Sequence, residues 1–406
     1  MRKSILFLFA IVCAAFMAAQ EQLPKWEKGY LDIHHINTGR GSCAFLILPD
    51  GTNMMIDAGD FDNEAFDAKY APMFAPQVFP NSSYTAGSSI INYLTNVLGR
   101  DKLSIDYFLL THFHSDHYGS VRSVSGTSEN GYRLTGLTEV GDVIPIKTYV
   151  DRDYPNYNFP VDLRTNVSGN GGVEPATFQN LLKFLEFQKT NNGMKVEKFD
   201  IGSNKQFALK KDPKSYPGFE IRNIKSNNLL WTGKGKNTTP LFTKEELLAK
   251  NGKFKYYAGG DNSGLVDQDH AEWYDIETPM APLVGKVSAM SLNHHSNRDA
   301  TNRNFLDVLD PKVVVAQSWS PDHPGPEVGQ RLLSGNVGTQ KREIFMTYYH
   351  EETGIGIGPW FSRGIKAKEG HIVIRVYPDG KYDVYVLDSR KSNMTIVKKF
   401  GPYVSE

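Results

Sequence analysis

Cysteine is nearly missing from this chain: two in 406 residues, at positions 13 and 43. If the first belongs to a removed leader, Cys43 stands alone and an internal disulfide is excluded; a folded exported protein of this size does not require one. Charge of one sign is also lacking, with 45 Lys and Arg against 45 Asp and Glu. That balance argues against a broad, nonspecific grip on nucleic acid, which depends on neutralising many phosphates. It does not exclude a local basic groove. Internal repeats and low-complexity blocks are absent, and the apolar and charged fractions, 40% and 22%, do not suggest wholesale disorder. Histidine is absent from residue 118 to residue 260.

The N-terminus has the layout of an export signal. MRKSILFLFAIVCAAFMAAQEQ opens with Arg2 and Lys3, continues through an apolar core from Ile5 to Phe16, and reaches small residues at Ala18 and Ala19. That order describes a secretory signal peptide, cleaved near Ala19 or Gln20. The core is shorter than the roughly 20 residues that span a bilayer, so no stable membrane insertion is expected after cleavage. Val12 is too bulky for a lipoprotein cleavage site before Cys13. Residues 1–19 are therefore expected to be a leader and 25–406 a single α/β domain, located in the periplasm or secreted. Losing Arg2 and Lys3 leaves 43 basic residues against 45 acidic ones.

GYLDIHHINTGRGSCAFLILPDGTNMMIDAGD reads as three strands, with Pro49-Asp50-Gly51 turning between the second and third and Asp57 ending the third. Residues 61–88 and 153–175 are rich in Pro, Asn and other loop formers and read as surface insertions. SSIINYLTNVLGR has a Ser cap, helical apolar spacing and a Gly stop, so a helix is expected there, and another from Pro175 to about Lys189. SIDYFLLT is short and nearly all apolar, as expected for a strand buried on both faces. PIKTYVDRDY, FKYYAGGDNSG, KVSAMSLNHHSN and PKVVVAQSW contain further strands, and RNFLDVLD a helix. HIVIRVYPDGKYDVYVLD is a β-hairpin turning at Asp379-Gly380.

THFHSDHYG follows SIDYFLLT directly. It begins at the C-terminal end of a buried strand, where active sites collect in sheets covered by helices. His112 and His114 lie two apart, so an extended backbone turns them to the same side. Asp116 and His117 follow after the chain begins to turn and can face a second point. One loop can thus supply two ligands to each of two adjacent ions, through the imidazole nitrogens and carboxylate oxygens that hold catalytic zinc. The plain alternative is a solvated polar loop; three histidines and an aspartate at these offsets outweigh it.

His112-Xaa-His114-Xaa-Asp116-His117 resembles the signature of the metallo-β-lactamase superfamily. The resemblance implies a four-layered αββα sandwich, here with insertions and a C-terminal β-hairpin. Asp57, after NMMI, resembles the family's first-motif aspartate, which supports the ligands from behind. Asp261 in YYAGGD resembles the carboxylate that bridges both metals, and His294-His295 in LNHH resembles the last histidine motif. Gly39-Arg40-Gly41, the Gly-Asp pair, the double histidine and HIVIRVYPDG are similar to the hydrolase domain of ComEC-type DNA-uptake proteins. KVSAMSLNHHSNRDATNRNFLDVL is similar to a segment of the secreted choline-binding phosphorylcholine esterases. Arg40 stands where ComEC-type proteins usually have Gln, and choline-binding repeats are absent.

The resemblance implies a binuclear zinc-dependent hydrolase, with manganese or iron as alternative metals. The implied ligands are His112, His114, Asp116, His117, Asp261 and His295, with Asp57 steadying them. Asp116, His294 and His323 are the implied catalytic contacts: His294 as hydrogen-bond donor to substrate, with the reverse assignment of His294 and His295 as the alternative, and His323 through its His-Pro pair, which resembles one in ComEC-type proteins. Many family members carry a further histidine between the main cluster and the bridging aspartate. Its absence here leaves Asp151, Asp153 or water for that place, and implies an asymmetric pair of sites. The expected activity is phosphodiester hydrolysis by a hydroxide held between two metals. The substrate would be a phosphorylated envelope polymer, a head group or other small phosphodiester, or nucleic acid. A lactonase- or β-lactamase-type amide or ester hydrolase and a noncatalytic metal-binding module of the same fold are the alternatives. His34 and His35, inside a strand, are expected to be structural, while His270, His350 and His371 carry no signal. Trp231, Trp273, Trp319, Tyr154 and Tyr157 read as core or surface filler, with an aromatic wall near the site as the alternative role.

Overall fold

A computed structural model describes residues 21–61, 77–159, 161–164, 173–240, 246–265 and 274–405. The expected leader, much of the 61–88 insertion, part of 153–175, and His270 and Trp273 lie outside the described residues.

Among the described residues the chain forms two nine-stranded sheets. Its first half supplies β1 (Leu31–His35), β2 (Ala44–Ile47), β3 (Asn53–Ile56), β4 (Tyr107–Leu109), β5 (Thr148–Asp151) and β6 (Lys195–Lys198). The second sheet is built from β7 (Glu220–Ser226), β8 (Leu229–Trp231), β9 (Thr238–Pro240), β10 (Glu246–Asn251), β11 (Phe254–Gly259), β12 (Ala289–Ser291), β13 (Val313–Ala316), β14 (Glu343–Met346) and β15 (Ile365–Ala367). The chain then returns to the first sheet as β16 (His371–Val376), β17 (Lys381–Leu387) and β18 (Ile396–Val404), which continue outward from β1. Strands β3 to β6 are parallel, and so are β11 to β15.

Period-two alternation sorts the side chains into layers. Tyr107 and Leu109 of β4 and Val313 and Val315 of β13 meet between the sheets, with Ile33, Phe254, Phe345 and Ile374. Phe108 and Tyr149 point the other way, onto the helices Ala86–Leu98, Gly136–Val143 and Pro175–Asn192. Val314 and Ala316 point outward beneath the helices Glu277–Val284, Arg303–Leu309 and Pro326–Leu333. The architecture is therefore helix, sheet, sheet, helix. Each fully buried apolar side chain contributes about 1.5–3 kcal/mol, so the layers themselves carry the fold's stability.

One buried ion pair fixes how the returning strands join the first sheet. The Arg375 guanidinium in β16 donates two hydrogen bonds to Asp32 in β1, at 2.8 and 2.6 Å, with both side chains out of solvent. Burial raises the Asp32 carboxyl even against that guanidinium. Such a pair specifies register more than it adds net stability. His34 and His35 sit beside it, fully buried and bonded to the Tyr93 and Tyr256 hydroxyls at 2.9 and 3.2 Å. Burial pushes His35 down to about 3, so it stays neutral in the core.

Beyond β6 to β10, β14 and β15, which the sequence pattern did not announce, three elements differ from expectation. The first helix begins at Ala86 under Thr85, whose side chain accepts from the Ser88 amide while Ser88 answers the Thr85 amide. Ser88 is thus the reciprocal partner of the capping box rather than the cap. The second helix runs on to Asn192, closed by Gly193 in the left-handed region. Strand β18 is unexpected: its residues are exposed or half-buried, so it shows no apolar alternation; it pairs with β17 at the sheet edge, and Phe400 and Tyr403 pack onto the core between the sheets.

The loop after β12 is fastened by Glu277, which is fully buried at the start of its helix. Its carboxylate accepts from the Asn293 side chain and from the amides of Thr301 and Asn302, each at 2.6 Å, pinning both ends of the segment that carries His294 and His295. Burial lifts this carboxyl from 4.5 to about 7 although those three donors pull it down. A carboxyl raised in the folded state adds nothing below its unfolded value, and costs stability as pH rises through its folded value. At about 1.4 kcal/mol per unit, wild-type stability relative to Glu277→Gln should fall by roughly 3 kcal/mol between pH 4.5 and 7, then level off. Urea unfolding of both proteins across that range checks this; a constant difference would contradict it.

Candidate metal centre

The parallel strands of both sheets end at the same edge, and the predicted site residues lie just beyond them. Asp57 follows β3, His112 to His117 follow β4, and Asp261 follows β11. His294 and His295 follow β12, and Gln317, Trp319 and His323 follow β13. The histidine loop turns immediately into the short helix Ser115–Tyr118. Gly41 and Gly59 make room for it: a Cβ on either would stand 2.2 or 1.8 Å from the Asp116 carbonyl oxygen. The second glycine of the Gly39-Arg40-Gly41 motif is thus a packing requirement at the site.

Asp261 is the centre of the constellation, with its side chain 3% exposed. His117 Nε2 stands 3.2 Å and His295 Nε2 3.6 Å from its Oδ1, and His112 Nε2 stands 3.2 Å from its Oδ2. Asp116 completes one group through Oδ2, 2.9 Å from His295 Nε2 and 3.6 Å from His117 Nε2. Two sets of ligand atoms result, each lying within 4.8 Å of one another: Asp116, His117, Asp261 and His295; and His112, His114 and Asp261. Asp261 belongs to both.

Anchors behind the histidines set their tautomers. Asp57 Oδ2 accepts from His117 Nδ1 at 2.7 Å and from the Thr111 hydroxyl at 2.8 Å, while its Oδ1 accepts the Thr111 amide at 2.8 Å. The Gln317 carbonyl accepts from His295 Nδ1 at 3.0 Å. With Nδ1–H donated backwards, each Nε2 turns a lone pair towards a carboxylate oxygen, and neither Nε2 has a hydrogen bond. Lone pairs facing carboxylates are what a divalent cation satisfies, and an all-nitrogen and oxygen donor set fits zinc, manganese or iron. Without a cation a proton takes that role. Burial alone would lower His117, but Asp261, Asp116 and Asp57 hold it well above the ordinary imidazole range. Burial likewise opposes ionisation of Asp116, yet His117 and His295 keep its carboxyl below the usual range. Asp261 is held low in the same way by His117, His112, His294 and His295.

These groups open into a pocket of about 250 Å³ walled by Phe61, Trp319 and His323. Phe61 and Trp319 pack at 4.7 Å, and His323 stacks on His295 at 5.0 Å. Burial pushes His323 down to about 3, and His295 beside it acts in the same direction. A roomier cleft, about 440 Å³ around Arg342 and Arg363, has no imidazole or carboxylate in its lining, so size does not mark the site.

Asp151 and Asp153, the candidates for the place of the absent histidine, are corrected by the structure. Asp151 is fully buried and spends its oxygens on the amides of Asp153 and Tyr154 and the Tyr157 hydroxyl. Asp153 bonds the Phe159 amide and pairs with Lys198. Both organise their own loop and belong to neither ligand group. Tyr157 is core, and Trp231 lies under Arg222, whereas Trp319 takes the wall position. Sequence reasoning missed Thr111, Gln317 and Asp299, which orient histidines. Thr111 and Asp299 lie near the two histidine motifs in sequence, but their type is common in loops and gave no separate signal.

The family described as the metallo-beta-lactamase superfamily matches residues 37–135, the segment that runs from before β2 past the histidine loop. A Beta-lactamase-like protein 2 homolog of Drosophila melanogaster is 33% identical over 112 residues, covering 27% of this chain and 30% of that relative. The match therefore spans under a third of the relative's length. Among solved structures, a point mutant of CmlA beta-hydroxylase is 13% identical with a TM-score of 0.39, covering 87% of this chain and 55% of its own. The metallo-beta-lactamase fold protein YhfI from Bacillus subtilis is 12% identical with a TM-score of 0.37, covering 78% and 96%. Zn(2+)-bound PqqB from Methylobacterium extorquens is 10% identical with a TM-score of 0.36, covering 85% and 99%. Residues 37–135 match the metallo-beta-lactamase superfamily, and the helix, sheet, sheet, helix layers around them agree with the αββα sandwich that this resemblance implies.

If Asp57 sets the His117 tautomer, Asp57→Ala should weaken divalent-cation binding about 10–100-fold, the usual cost of losing such an anchor. Competition titration with a chromophoric chelator measures it; an unchanged affinity would refute the orienting role.

Proposed function

We propose that this chain is an exported, metal-dependent hydrolase that cleaves phosphodiesters. The observation that carries the hydrolytic reading is the placement of Asp261, one carboxylate shared by two ligand groups at the mouth of a pocket. His117, His295, Asp116 and Asp261 would hold one divalent cation, and His112, His114 and Asp261 a second, with zinc the first candidate. Bound there, such cations supply Lewis acidity towards phosphoryl oxygens and acidify a water molecule towards neutral pH.

The chain's own residues prepare that chemistry. Asp57, Thr111 and the Gln317 carbonyl hold ring hydrogens away from the pocket, so Nε2 lone pairs face it. Asp116 places a carboxylate oxygen at the pocket floor, where it would ligate the cation and accept a hydrogen bond from a bound water. Phe61 and Trp319 form a wall that excludes solvent from one side of a bound ester.

The choice of phosphodiester rests on the ComEC-type and phosphorylcholine-esterase resemblance. The pocket's lining contains Asp116, Asp261 and Asp322 and no lysine or arginine. Such a pocket repels an anion until divalent cations reverse the balance, so substrate binding and metal loading are coupled. The substrate class comprises phosphorylated envelope polymers, head groups and nucleic acid. Export is supported by the leader-like residues 1–19.

Metal-replete protein should hydrolyse bis-p-nitrophenyl phosphate or p-nitrophenylphosphorylcholine, lose that turnover to a chelator, and regain it with zinc or manganese. Cleavage of nitrocefin or a lactone with no turnover of either phosphodiester would overturn the phosphodiesterase reading. Full metal occupancy with no activity on any of these would favour a binding protein.

A further inference from the structure

We propose that His294 is a ligand of the His112 and His114 site, in the place left by the absent middle histidine. This rests on the two-cation reading above and revises the expectation that His294 donates a hydrogen bond to substrate.

The two oxygens of Asp261 divide the surrounding imidazoles. His117 and His295 approach Oδ1, at 3.2 and 3.6 Å. His112 Nε2, His114 Nδ1 and His294 Nε2 approach Oδ2, at 3.2, 3.9 and 3.8 Å. His294 therefore stands on the His112 and His114 side of the shared carboxylate, although its sequence neighbour His295 stands on the other.

The backbone explains how neighbours reach opposite sides. His294, His295 and Ser296 all have left-handed φ, at 47°, 52° and 69°. That conformation costs non-glycine residues about 1–2 kcal/mol each, and persists where surrounding contacts over-determine it. Glu277 provides such contacts through Asn293, Thr301 and Asn302. The tight left-handed run lets two adjacent rings converge on one carboxylate, which an extended strand would not allow.

Tautomer chemistry points the same way. Asp299 Oδ1 lies 2.7 Å from His294 Nδ1, and an ionised carboxylate only accepts. Neutral His294 thus carries its hydrogen on Nδ1 and presents a lone pair at Nε2, suited to a cation and unsuited to donating to substrate. His117 with Asp57 and His295 with Gln317 are arranged alike. His294 lies outside the three-residue group whose ligand atoms fall within 4.8 Å of one another, so binding requires its ring to swing inward. Its side chain is 28% exposed and that of His114 29%, against 1% for His117 and 3% for His295. The His112 and His114 site is accordingly the open and exchangeable one.

The test strips the full chain with a chelator and titrates zinc, then cobalt for its visible absorption, with metal content measured after desalting. Wild type should bind two ions, the second more weakly. His294→Ala should keep one tight ion and lose the weaker one, or bind it at least 10-fold less well, and His294→Asp should restore two. If the alanine variant fails to fold by circular dichroism, Asp299→Asn carries the same test: weaker binding at the exchangeable site alone. Two ions bound with unchanged affinity in folded His294→Ala, or in Asp299→Asn, would overturn the assignment. A wild-type stoichiometry of one or none would overturn the two-cation reading itself, and this assignment with it.

Discussion

The site depends on Asp261, a carboxylate withdrawn from all but the pocket's solvent, its side chain 3% exposed. An ionised group in a protein interior must be paired or hydrogen-bonded, because its desolvation costs several kcal/mol. Around Asp261 stand imidazoles supplied by loops from both sheets, arranged so that a shared cation or proton meets that demand. The sandwich brings these loops together because its parallel strands end at a common edge. Removing the cation-binding role would leave carboxylates and imidazole lone pairs crowded together for no structural gain. The apolar layers already hold the fold without them.

Behind the ligands lies a second set of contacts that aims each ring. Asp57, Thr111, the Gln317 carbonyl and Asp299 lie behind the rings; they determine which nitrogen faces Asp261. Glu277 works one step further out, holding the loop after β12 in a strained conformation. Glycines 41 and 59 let that assembly close against Asp116. Rigid positioning of this kind suits cation chemistry, in which ring orientation sets affinity.

Much of this could be read from residue pattern alone. Strands β3, β4, β12 and β13 and the hairpin β16–β17 were legible because their apolar residues are buried between or beneath layers and bounded by turns. The histidine loop was legible because four potential ligands within six residues are hard to explain as surface. Strand β18 was not, because a mostly exposed edge leaves no apolar rhythm. Nor was the partition of His294 and His295, which depends on left-handed backbone that neither residue type announces. Asp151 looked available because its position ends a strand; only the structure shows its oxygens committed to the following loop.

The central claim is that Asp261 lies between two cations. Anomalous diffraction at the zinc edge, on crystals of metal-replete protein, tests it directly. The account predicts two peaks roughly 3.5–4 Å apart, one between Asp116, His117 and His295 and one beside His112 and His114, with Asp261 between them. A single peak, or none within reach of Asp261, would contradict it.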